Sequence, residues 1–129
     1  MRRILTCGCT VAILLAGAQA AAHHGPGLYD RTKSVSVTGR VTQFRFMNPH
    51  VLIYVAAAGE DGREIVWSGE LTSPNRLARS ATPVDWHKDL LKPGDVVTLS
   101  GNPAQNGAPA LLLNRVLDGE GNVLTATGR

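Results

Sequence analysis

Hydrophobic residues alternate along much of this chain. Val35, Val37, Gly39 and Val41 share one parity, while Phe44 and Phe46 share the other. Strand side chains point to opposite faces in turn, so alternation with a one-residue slip predicts a long strand carrying a bulge. Asn48-Pro49 ends this run, because Pro has no N–H to give to a sheet ladder. Residues 51–57 are a nearly continuous apolar run, the pattern of a strand covered on both faces. After the turn signal Gly59-Glu60-Asp61-Gly62, residues 64–71 return. Ile65, Trp67, Gly69 and Leu71 lie on one face, and Val66, Ser68 and Glu70 on the other. So short a Gly-containing connection predicts a hairpin.

Thr72 and Ser73 can each cap a helix, and Pro74 suits a first helical turn, so residues 74–79 are predicted to form a short helix. A further helical turn is expected over residues 86–91, with Asp85 as its cap. Lys92-Pro93-Gly94-Asp95 turns into a strand over residues 96–100. A Gly-, Asn- and Pro-containing loop follows over 101–109, then a strand over 110–117, a turn over 118–122 and a last short strand over 123–125. One short helix between the third and fourth of five principal strands is the order of the all-β OB-fold, a partly open five-stranded barrel. A small β-sandwich is the alternative that this pattern also allows. In OB-folds ligands lie on the face of the second and third strands, flanked by the first loop and the loop joining strands four and five. Those loops are here the Asn48 loop and residues 101–109.

Several short motifs, in this order and spacing, resemble one exported bacterial group. They are Ala22-His23-His24, Gly39-Arg40-Val41, Asn48-Pro49-His50, Trp67 with Glu70, Ser73-Pro74-Asn75-Arg76-Leu77 and Leu91-Lys92-Pro93-Gly94-Asp95. The group is domain-of-unknown-function family 6152. The sequence departs from it in residues 81–88, where Trp86 follows Asp85 within a longer, less regular connection. The resemblance implies an exported small β-barrel with no assigned activity, and it carries over no catalytic site.

The first twenty residues, MRRILTCGCTVAILLAGAQA, change the meaning of the composition. Arg2 and Arg3 precede an apolar stretch, and Ala18-Gln19-Ala20 supplies a small-x-small cleavage pattern, so residues 1–20 read as a secretory signal peptide. The stretch is shorter than the ~20 apolar residues a membrane span requires. Residues 21–32 are then expected to be a flexible N-terminal arm and residues 33–129 the barrel domain. The 129-residue chain has 13 basic and 10 acidic residues, for a net charge of +3. Loss of Arg2 and Arg3 leaves the mature chain nearly neutral. Both cysteines, Cys7 and Cys9, leave with the signal, which excludes a disulfide framework and a thiolate metal centre. An apolar content of 43% with 18% charged residues excludes a disordered chain. The product is expected to be exported, periplasmic where an outer membrane exists, and not membrane-spanning after cleavage.

Candidate chemistry is sparse. Cleavage near Ala20–Ala22 places His23 and His24 close to a new N-terminus. There an amine, backbone amides and imidazole can wrap Cu(II) or Ni(II) in a square plane. His50 is a further candidate ligand for such a metal. A copper(I) site of the His–Met type has only Met47 left for it in the mature chain. At the expected ligand end, Arg45, Asn48, His50, Trp67 and Glu70 are the candidate binding residues. His50 is expected near Trp67 or Glu70, and Glu70 near Arg45, Arg76 or Arg79. Trp67 and Glu70, three residues apart on a regular strand, are expected on opposite faces. No nucleophile motif surrounds Ser68 or Ser73, so an enzyme is not expected, although His50 with Glu70 or Asp85 is a conceivable dyad. A near-neutral mature charge does not fit nucleic-acid binding. The expected function is an exported binding or accessory module for a small ligand or an envelope protein, with no certain cofactor. The alternatives are copper or nickel binding through the arm, and a structural or assembly role in an envelope complex.

Overall fold

A computed structural model describes residues 27–126. The expected signal segment, and the expected arm as far as residue 26, lie outside the described residues. The elements are β1 (Val35–Arg45), β2 (Leu52–Ala58), β3 (Glu64–Glu70), α1 (Pro74–Arg79), β4 (Val96–Pro103), β5 (Ala110–Asp118) and β6 (Val123–Ala126). The strands follow the order β3-β2-β1-β4-β5-β6, and a parallel β3–β5 pairing closes the first five into a barrel. This is the all-β, OB-like barrel expected from the sequence.

The parity slip in β1 is a bulge. Val41 pairs with Val55, but Gln43 pairs with Tyr54, so Thr42 is the extra residue. The bulge bends β1 enough for it to pair with β4 along its first half and with β2 along its second. Both parities therefore point inward in turn: Val37 and Val41 are buried, and Phe44 packs against the same core. In β2, Ile53, Val55 and Ala57 are buried, whereas Leu52, Tyr54 and Ala56 are half-buried on the outer side. One outer face therefore remains partly open, which the apolar run alone did not indicate.

Helix α1 begins as expected. Ser73 is its cap, with the side chain accepting from the Arg76 N–H and Pro following it. Leu77, 1% exposed, anchors the helix to the core.

The expected helical turn over residues 86–91 is corrected by the structure. The segment is irregular and contains one tight turn, in which Leu90 N–H donates to the His87 carbonyl at 3.1 Å. The reason is packing. Trp86 and Leu91 are both buried, yet residues five apart lie ~140° from each other around a helix. A helix there would turn one of them outward. Strand β4 also runs past the expected end at Ser100. A register shift between Ser100 and Gly101 absorbs the twist and lets pairing with β5 continue to Pro103. The loop joining β4 and β5 shrinks to residues 104–109.

Candidate functional site

Strand register assembles the site. Arg45 pairs with Leu52, and Leu52 with Glu70, so these three residues form one outer row across β1, β2 and β3. The β1–β2 loop is then zipped onto the end of β3. Val51 N–H donates to the Thr72 carbonyl at 3.1 Å, and Leu71 N–H donates to the Val51 carbonyl at 2.9 Å. That ladder sets His50 beside Glu70. His50 Nδ1 lies 2.5 Å from Glu70 Oε1. An ionised carboxylate only accepts, so the His50 Nδ1–H donates to Glu70.

The other carboxylate oxygen has a partner that sequence reading missed. Tyr29 Oη donates to Glu70 Oε2 at 2.9 Å. Tyr29 reaches Glu70 because the end of the expected arm is strapped to the barrel. Tyr29 forms an isolated bridge with Ala104. Asp30 N–H donates to the Pro103 carbonyl at 2.8 Å, and Gln105 N–H donates to the Leu28 carbonyl at 2.9 Å. Asp30 then accepts from Thr32 and pairs with Lys33 at 3.1 Å, which fixes the turn into β1. Burial, the hydrogen bond to Glu70 and the Glu70 charge, in that order, push the Tyr29 hydroxyl up to about 12. The three residues form one chain, Tyr29–Glu70–His50, between the two loops that flank the ligand face of an OB barrel.

Four of the five candidate binding residues line a single cleft of about 220 Å³: Arg45, Asn48, His50 and Glu70, together with Met47, Pro49 and Leu52. Trp67 does not. Its strand parity turns it to the inner side, where it packs against the core. Glu70 engages His50 and Tyr29 rather than Arg45, Arg76 or Arg79, and the partner of His50 is Glu70 rather than the exposed Asp85. His23 and His24 lie outside the described residues. Among the described residues, no three His, Cys, Asp or Glu side chains gather to hold a metal ion. A second cleft of about 300 Å³ is lined by Leu28, Tyr29, Ala104, Gln105 and Asn106 among others. The only sequence cue to Tyr29 is an aromatic residue in an otherwise small and polar arm, and nothing local links it to Glu70 forty-one positions away.

Comparison with known proteins bears on this geometry. The sequence profile described as "Family of unknown function (DUF6152)" matches residues 12–112. The chain belongs to this family. The DUF6152 match spans β1, β2, β3, α1 and β4 and every residue of the Tyr29–Glu70–His50 chain. No curated protein matches the sequence. Among solved structures, the mitochondrial single-stranded DNA binding protein Rim1 of S. cerevisiae is similar, with a TM-score of 0.44 and 13% identity, over 73% of this chain and 95% of that one. DNA binding is a property of that protein. No helix among the described residues is long and apolar enough to cross a membrane.

Proposed function

We propose that this DUF6152 protein is an exported, non-catalytic binding or accessory module whose ligand site is the cleft built on Tyr29, Glu70 and His50. The observation that carries the reading is the hydrogen-bonded chain through Glu70. It ties the N-terminal strap, the end of β3 and the β1–β2 loop into one preorganised surface. Preorganised polar groups at the mouth of a barrel favour binding because little ordering remains when a ligand arrives. A surface ion pair alone stabilises little, so a three-residue chain at this position is better explained by recognition than by stability. The signal-like segment, residues 1–20, supports export. Among the described residues, no Ser, Thr or Cys joins His50 and Glu70 in the cleft lining, and the proposed role includes no chemical step.

Native mass spectrometry of the processed protein, purified from its own envelope, tests this. The expected result is a small-molecule adduct on the wild-type chain that is lost when His50→Ala and Glu70→Ala are combined. An adduct of equal occupancy on the double variant would contradict the site. Turnover of a co-purified compound would contradict the accessory role. Co-purification of a membrane enzyme with no small ligand would favour the assembly role instead.

A further inference from the structure

The 220 Å³ cleft is rich in unused donors, and its one acidic group is already engaged. Among the described residues Glu70 is the only carboxylate in the lining, and each of its oxygens has a partner: Oε1 faces His50 and Oε2 accepts from Tyr29. The donors are in the opposite condition. Arg45 has no acidic partner among the described residues, and its only hydrogen bond there is a 3.6 Å contact from Nη2 to the Met47 thioether, a weak acceptor. The Asn48 side chain, which lines the same cleft, has no side-chain hydrogen bond among the described residues. The Arg45 guanidinium and the Asn48 amide N–H therefore face the cleft without a carboxylate partner there, and a ligand that brings acceptor oxygens can pair with both.

From this imbalance we infer that the cleft binds a monocarboxylate. The planar guanidinium fork of Arg45 matches the two oxygens of a carboxylate, and the Asn48 amide supplies a further donor. A dianion such as phosphate fits less well, because among the described residues Arg45 is the only permanent cation in the lining. Met47, Pro49 and Leu52 form the remaining walls, so the body attached to the carboxylate is small and apolar. Two sources share this chemistry: a free short-chain carboxylic acid and the C-terminal carboxylate of a peptide. The inference rests on the proposed ligand site and adds the class of ligand.

The test is a two-dimensional amide NMR titration of the mature protein with butyrate, with N-acetyl-dialanine and with butyramide as the uncharged control. Arg45 is exposed, so Arg45→Gln preserves the fold. The expected result is shift changes centred on Asn48, His50 and Leu52 with at least one carboxylate probe. Arg45→Gln weakens this binding by about tenfold or more, the range of a lost charge-assisted pair, and butyramide gives none. Binding of butyrate points to a free acid, and binding of N-acetyl-dialanine alone points to a peptide terminus. Equal binding of butyramide, indifference to Arg45→Gln, or no binding at millimolar concentration overturns the assignment. If the native adduct still depends on His50 and Glu70 in that event, the site stands and only its ligand class falls.

Discussion

Trp86→Ala is expected to lower the stability of the barrel by about 3–5 kcal/mol, the range for truncating a buried aromatic residue. Trp86 is 3% exposed. Its ring is tilted against Phe44 with centroids 6.2 Å apart, and its Nε1–H donates to the Leu124 carbonyl at 3.2 Å. The side chain therefore joins β1 to β6 from a segment without regular structure of its own. Alanine leaves a cavity between those strands and takes the donor from a strand-end carbonyl. A domain of this size commonly has a total stability of about 5–15 kcal/mol, so the loss is a large fraction of the whole. Thermal unfolding should fall by roughly 15 °C or more. Trp86→Phe, which keeps most of the volume, should lose markedly less. Equal losses for the two variants would show that the ring does not fill this space.

Gly101→Ala is the second large effect, and its mechanism is the reverse. A Cβ at Gly101 would lie 2.1 Å from the Leu112 carbonyl oxygen and 2.9 Å from the Leu113 Cα. These are backbone atoms of the paired strand, so no rotamer change relieves the overlap. The β4–β5 ladder has to separate where the register shift between Ser100 and Gly101 lets β4 continue. Overpacking of this kind costs about 3 kcal/mol. Urea unfolding of the variant should show a lower midpoint with an unchanged slope. A midpoint within error of the wild type would mean that the strands sit farther apart than described. Leu112 is also the β5 residue that pairs with Glu70 at the end of β3, so native amide shifts around Glu70 should also respond.

The parts of this fold that were legible in the sequence are those written locally. The bulge in β1 follows from the parity slip between Val41 and Phe44. The β2–β3 hairpin follows from its Gly-rich turn, and α1 follows from Ser73-Pro74 at its start. The strap at Tyr29 was not legible, because its partners Glu70 and Ala104 are set by barrel closure, which joins distant segments without leaving a local pattern. The segment around Trp86 was misread for a related reason. A Trp after an Asp resembles a capped helix start, yet burial of both Trp86 and Leu91 overrides that preference. In the candidate site, Arg45, Asn48, His50 and Glu70 come together, as their places in the strands allow. Trp67 is excluded by the alternation that had already set it opposite Glu70.

Tyr29, Glu70 and His50 form one hydrogen-bonded unit, and Tyr29 reports on it. Folding raises the affinity of Tyr29 for its proton above the ordinary tyrosine value of 10.0. The contribution of this group to stability is therefore complete below pH 10.0 and is lost as pH rises through about 12. The chain has two tyrosines, so a Tyr54→Phe background leaves a single phenol to follow through the Cζ chemical shift during an alkaline titration. The expected midpoint is pushed up to about 12. Glu70→Gln is expected to move it down while leaving it above the ordinary value, because burial persists. A midpoint at the ordinary value, or one that Glu70→Gln leaves in place, would show that Tyr29 is not coupled to Glu70.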